Sequence, residues 1–427
     1  MAGRPGFGRG GKLTGDDLVG FEGAAPAAAI MRKRCLIPKK STAMLAIIIV
    51  LNTLPALATD MYLAALPDMS VEFGSPVGLL NLNLKLFFLF YGIGLLIWGP
   101  LSDRYGRRPT LIAGMSAFVI FSVLCGFAGS VYELIAFRAL QGVFGGVAVA
   151  VSVAMVKEVY DGRERERAFA VVSIMMALGP ILAPIVGATL LNVMSWRGIF
   201  FVLAGLGAVA LSGCVLMEET LRQRSDRRLL ATLGQLLVVV RNRRYSRLLP
   251  SLSLLGMVIF VWVGVSTYIL IQDFGLSQEE FSMFFAGNAF FFLVGPFLYL
   301  FLARHIDRLS IITACLALVA CSGFLVIIVG GTGPVAFLLS VIPATLAVSV
   351  TRTPSLDIVM SQMDMDIGSA SSMFNFLFMA IGAIGMMVAS LGWEDRTFVV
   401  GTIFVIIGLV SLFSWLLVYR DYSGSRE

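Results

Sequence analysis

Three ionisable side chains stand where the surrounding chain is almost wholly apolar: Asp60 in LPALATDMYLAALPDM, Lys85 in LLNLNLKLFFLF and Arg138 in ELIAFRALQG. A charge isolated in hydrocarbon is costly, so each must pair, face a wet cavity or reach the interface. A carboxylate held this way can do proton chemistry. Desolvation raises its proton affinity, a neighbouring ammonium or guanidinium favours its charged form, and movement of water or cargo can tip the balance. Asp60 is therefore the proton-coupling candidate, with Arg138 and Lys85 as its electrostatic partners. The lysine has a second reading, since its long stem can lift the ammonium to the membrane surface.

Two further stretches carry pattern rather than single charges. WGPLSDRYGRRPTLIAG, residues 98–114, sets Asp103, Arg104, Arg107 and Arg108 between apolar segments. Gly99-Pro100 is expected to turn the chain, Gly106 to allow a tight approach and Pro109 to open the next helix. Charge-assisted bonds from Asp103 make this corner a candidate cytoplasmic gate that stabilises one of two domain arrangements. GPILAPIVG, residues 179–187, contains Pro180 and Pro184, each removing a backbone donor, so a smooth helix is not expected there. Gly179, Ala183 and Gly187 recur every four positions and form a strip of close approach.

These residues need elements to hold them. The chain has 427 residues, 58% hydrophobic and 14% charged, with mean hydropathy +0.91; soluble domains carry about 25% charged residues. Helices crossing the bilayer need about 20 mainly apolar residues. Candidate spans cover 42–64, 79–98, 109–129, 132–156, 168–190, 198–217, 248–271, 281–303, 309–330, 334–351, 368–390 and 397–419, giving an all-α membrane protein of twelve helices. With both termini inside, 28 Lys and Arg fall in cytoplasmic segments and only Arg197 and Arg396 outside, which satisfies the positive-inside rule. At comparable depth in the outer third, Asp60, Lys85 and Arg138 are expected to meet.

The organisation reads as a basic cytoplasmic leader, 1–40, a six-helix bundle, 41–217, a basic linker, 218–247, a second six-helix bundle, 248–419, and a tail, 420–427. Met31 is an alternative start. The linker reads equally as an amphipathic segment on the inner membrane surface or as a solvated connection. LARHIDRLS, with Arg304, Asp307 and Arg308, is a faint second copy of the charged corner. Trp262, Tyr268, Asn288, Phe291, Phe292, Asn375 and Phe376 are candidates for the wall of a central path, or else pack between helices. Four of the five cysteines fall inside apolar segments, a single histidine makes no metal set, and no ATP-binding glycine-rich motif is present. No cofactor, metal, enzymatic activity or nucleic-acid partner is expected, and the net charge of +6 follows from membrane topology alone.

The corner G-P-L-S-D-R-Y-G-R-R resembles the signature loop of the major facilitator superfamily, Arg138-Ala-Leu-Gln141-Gly142 resembles its R-x-x-Q-G element, and residues 179–187 resemble the antiporter motif of its twelve-span drug exporters. Residues 54–69 are similar to the first-helix signature of the bicyclomycin-resistance (Bcr/CflA) branch. The resemblance implies two pseudo-symmetric bundles in the bacterial inner membrane, a functional monomer, and a proton-coupled antiporter exporting small amphipathic compounds or antibiotics, with the proton gradient as energy source. A dedicated metabolite exporter and an uncoupled facilitator are the alternatives. It also implies that Asp60 serves protonation or cation recognition, that span 5 seals the halves against proton leak, and that Asn52, Tyr62 and Gln141 belong to the cavity set. Asn52 stands where some drug exporters carry a second carboxylate.

Overall fold

The computed structural model describes residues 42–221, 241, 243–360 and 367–423. The leader, most of the 218–247 linker with its amphipathic reading, and the end of the tail lie outside the described residues. Among the described residues twelve helices are long and apolar enough to cross a membrane. Numbered in chain order, spans 1 to 6 are Thr42–Glu72, Gly78–Tyr105, Arg107–Gly126, Val131–Val159, Gly162–Leu191 and Trp196–Leu216. Spans 7 to 12 are Ser246–Asp273, Gln278–Leu302, Arg308–Thr332, Pro334–Ser355, Ser372–Ala389 and Arg396–Val418. Helices prevail because a backbone in hydrocarbon must satisfy its own donors and acceptors. Large apolar side chains such as Ile328, Phe413 and Leu417 point outward into the space that lipid fills.

The halves meet along two seams, span 2 against span 11 and span 5 against span 8. At the end opposite the basic loops they are tied by hydrogen bonds. Tyr268 donates to Asn81 (3.0 Å), Gln278 to Asp68 (2.8 Å), Asn192 to Glu279 (2.9 Å), and Ser282 to the carbonyl of Pro184 (3.0 Å).

Three local expectations change. Span 2 does not turn at Gly99-Pro100; its helix runs from Leu82 to Tyr105 with Pro100 inside it. The turn falls at Gly106, whose φ of 107° and closeness to Glu219 admit no side chain: a Cβ there would stand 2.5 Å from Glu219 Oε2. Span 5 likewise keeps one helix over Gly162–Leu191 with both prolines inside it. Finally, the helix of span 10 continues over Pro334–Met360, so Arg352 belongs to the span and not to the basic loop where its charge had assigned it. That moves one of 28 cations from a loop onto a helix that spans and leaves the asymmetry intact.

Span 1 is the irregular element. Its first helix, Thr42–Asp60, stops at Asp60; a turn, a 3-10 segment Leu63–Ala65 and a short helix Leu66–Glu72 complete it. Span 7 also departs from α geometry, ending in a π-helical turn, Tyr268–Asp273. Such departures are frequent at functional sites.

Candidate functional site: a cavity shared by the two halves

Asp60 ends a helix inside the membrane, so the last carbonyls of that helix lack intrahelical partners. Arg138 supplies one: its Nη1 donates to the Ala58 carbonyl at 3.0 Å. A cation at a helix C-terminus is also favoured by the helix dipole. Its other bonds go to neutral acceptors, Gln141 Oε1 at 2.6 Å from Nη1 and the Tyr62 hydroxyl at 3.1 Å from Nη2, while Nε is buried without a partner among the described residues. Gln141 donates onward to Ser122 (2.7 Å), and Tyr62 donates to Asn83 (2.6 Å). The guanidinium lies over the Phe87 ring, 4.2 Å from its centroid. The spacing in R-x-x-Q-G now has a reason: residues three apart share a helix face, so Gln141 can bond Arg138, and Gly142 lets span 2 approach. A Cβ at Gly142 would sit 2.4 Å from the Phe87 carbonyl oxygen.

Asp60 is buried, 4% exposed, and lies on the wall of a cavity of about 220 Å³ that both halves line. Arg138 is near enough for its charge to be felt at Asp60. Among the described residues, however, no ion pair joins Asp60 to Arg138 or to Lys85. The carboxylate is thus not held charged by a salt bridge, which would lower its proton affinity.

Lys85 does not join the pair. It is buried, but it stands on the face of span 2 that carries Asn81 and Phe88. Those neighbours touch the second half, through Tyr268 and through a T-shaped contact with Phe260 at 4.4 Å. Asn83 and Phe87, on the other face, serve Arg138. Depth along the helix had suggested a triad; azimuth separates it. The burial of Lys85 also sets aside its surface-snorkelling reading in this conformation.

Of the other candidates, Trp262, Asn288, Phe292 and Pro180 line the cavity. Asn52 does not, being tied inside the first half to Ser152 Oγ and the Ile48 carbonyl, both at 2.7 Å. Tyr62 and Gln141 are fully buried in the Arg138 cradle, and Tyr268 ties the halves. Asn375 accepts from Arg352 at 3.4 Å, and Phe376 faces Gly92 across the seam. Phe291 is not on the cavity wall. Sequence reasoning missed Phe88, Tyr91 and Phe260, which line the cavity, and misplaced Arg352. A signal existed for the first two: Phe88 stands three residues from Lys85 on span 2 and Tyr91 three residues further, at helical spacing.

Span 5 reaches the site through its small residues. A Cβ at Gly187 would come within 1.8 Å of the Met61 carbonyl oxygen, and one at Gly179 within 2.7 Å of Ala56 Cβ. The strip thus packs on span 1, directly beside Asp60, while Pro184 meets Ser282 of span 8.

The charged corner ties helix ends within the first half. Arg107, only 6% exposed at its side chain, bonds Glu158 at the end of span 4 (2.7 Å), Asp103 (2.5 Å) and Ser102 (2.5 Å). Glu219, just after span 6, accepts from the backbone amides of Arg107 (2.9 Å) and Arg108 (3.2 Å), capping span 3, and Arg108 also bonds the Val215 carbonyl (2.5 Å). In the faint second copy Asp307 caps span 9 through the amides of Leu309 and Ser310. Asp103 is 49% exposed whereas Glu158 is 19% exposed. Exposed pairs contribute about 0–1 kcal/mol, while stranding a buried partner costs about 3–5 kcal/mol. Glu158→Gln should therefore lower the thermal unfolding midpoint of purified protein clearly more than Asp103→Asn; equal shifts would show that Glu158 does not carry the tie.

Two six-helix halves around a shared cavity, with discontinuous helices at its wall, define the architecture of a secondary transporter. A family model described as Major Facilitator Superfamily matches residues 48–386, and the chain belongs to that superfamily. It is 25% identical over 395 residues to the MFS-type transporter YdgK of Bacillus subtilis, a match covering 88% of this chain and 95% of the relative. It is 26% identical over 360 residues to a bicyclomycin resistance protein homolog of Haemophilus influenzae, covering 80% and 87%. A chloramphenicol resistance protein of Pseudomonas aeruginosa is 32% identical over 241 residues, covering 55% of this chain and 56% of that relative. Among solved structures, a D-xylose-proton symporter superposes with TM-score 0.69 at 15% identity over 86% of this chain and 96% of that one, a likeness of fold. The protein is a multi-pass membrane transporter and not an enzyme.

Proposed function

We propose that this transporter is a proton-coupled antiporter that exports small amphipathic compounds, antibiotics among them, across the bacterial inner membrane. It works as a monomer with both termini in the cytoplasm. The observation that carries the reading is Asp60: a buried carboxylate on the wall of the shared cavity, at a helix end, with its nearest cation bonded to neutral groups. Rocking of the halves changes the water and cargo that Asp60 meets, and with them its proton affinity. The relatives named for bicyclomycin and chloramphenicol resistance support export of antibiotics. The orientation rests on the basic loops lying at one end.

In this reading the charged corner is rebuilt between states. Asp103, half exposed here and paired with Arg107, gains a second partner when the cytoplasmic ends of the two halves close. The test of the function is transport in proteoliposomes of a panel of amphipathic compounds, chloramphenicol included, with and without an imposed proton gradient. Gradient-driven accumulation accompanied by counterflow of protons is expected. Equal rates in both conditions would leave an uncoupled facilitator, and conduction through a continuously open pore would overturn transport by alternating access.

A further inference from the structure

The buried interior carries more positive than negative charge among the described side chains. Asp60 is the one buried carboxylate among them, against buried Lys85 and Arg138 in the same half. Arg352 adds a third cation, held inside span 10. Its Nη2 donates to Asn375 at 3.4 Å, its guanidinium lies 4.7 Å from the centroid of Phe378, and Tyr91, which lines the cavity, is its electrostatic neighbour. None of these three partners is an acid. A guanidinium offers five donors, and this one spends a single long bond on a neutral amide.

Position makes that charge useful. Thr345 lines the cavity and stands seven residues before Arg352 on the same helix, so the guanidinium sits about 10 Å toward the basic end. Lys85 stands six residues from Tyr91 on span 2, about 9 Å in the other direction. Between them the wall is aromatic, with Phe88, Phe260, Trp262 and Phe285. A cationic compound in the cavity would lie between two cations that no carboxylate neutralises among the described side chains; an anionic one would find a partner just beyond the basic end of the wall, behind Tyr91.

We infer that the preferred cargo is an amphipathic monoanion, its apolar body seated on the Phe88, Phe260 and Trp262 wall and its anionic group bonded by Arg352. The inference rests on the cavity being the cargo site of the proposed exporter and narrows its substrate class. A matched set of probes tests it: naphthoate, naphthamide and naphthylmethylammonium share one ring system and differ in charge. Equilibrium binding to the full-length protein in lipid nanodiscs should favour naphthoate over the other two by about tenfold or more, the range expected for a charge-assisted bond. Arg352→Gln should remove that preference by weakening naphthoate much more than naphthamide, and Arg352→Lys, which keeps the charge, should retain part of it. Equal binding of the three, preference for the ammonium probe, absence of naphthoate binding, or a preference that survives Arg352→Gln would each overturn the inference. Binding at equilibrium needs no gradient. Loss of proton-driven export with the naphthoate preference intact would therefore sink the antiporter reading alone, and coupled export without the preference would sink this inference alone.

Discussion

Asp60→Asn is expected to abolish substrate-evoked proton release while protein abundance is retained. The substitution keeps the size and hydrogen-bonding capacity of the side chain and fixes it neutral. It breaks no ion pair, since Arg138 already spends its donors on the Ala58 carbonyl, Gln141 and Tyr62. Folding is therefore spared, and a charge no longer has to be desolvated in the closed site. The measurement is proton release from purified protein on adding cargo, compared with wild type across a pH series. Wild type releases protons where Asp60 is protonated before cargo arrives; the variant releases none at any pH. Gradient-driven accumulation should fall to the uncoupled level. Should the variant bind the same cargo and release the same number of protons with the same pH dependence, coupling resides elsewhere and Asp60 is a packing residue.

Gly187→Val should cripple transport, whereas Gly205→Val should not. A Cβ at Gly187 would come within 1.8 Å of the carbonyl oxygen of Met61, a backbone atom that cannot rotate away, while one at Gly205 meets open space. Overpacking of this kind costs about 1–3 kcal/mol, enough to shift a two-state equilibrium by about 5- to 150-fold. The displaced backbone adjoins Asp60, so the variant should change the pH dependence of proton release as well as the transport rate. A variant that transports like Gly205→Val, with an unaltered pH profile, would show that the span 1 to span 5 contact has no part in coupling.

How much of this was legible in the chain differs from feature to feature, and the reason is one of geometry. The number and approximate limits of the spans follow from local runs of apolar residues, because the cost of burying a backbone or a charge in hydrocarbon accrues residue by residue. Motif spacing also survived folding where both members share one helix: Arg138 and Gln141 are three apart and do bond. The corner's turn was misplaced by one helical turn and more: it was expected at Gly99-Pro100, and the positive φ puts it at Gly106, which the sequence marked only for close approach.

What lay between helices was not readable. Glu158 and Glu219 are 51 and 112 residues from Arg107, and nothing in the corner itself names them as its acids. Arg352 looked like a loop cation because hydropathy falls at that point, yet the helix runs on to Met360 and holds the side chain inside. The two prolines of span 5 spoke against a smooth helix, but not which neighbour it would meet; the helix is continuous through both, and its small residues lie against span 1. Lys85 shows the division most plainly. Its depth, about 9 Å of helix from Tyr91, follows from counting residues at the rise of an α-helix. Its burial against the second half, away from Arg138, depends on the rotation of span 2 about its axis. Rotation is set by which side chains interlock with spans 4 and 11, a property of the assembled bundle that no single stretch of sequence contains.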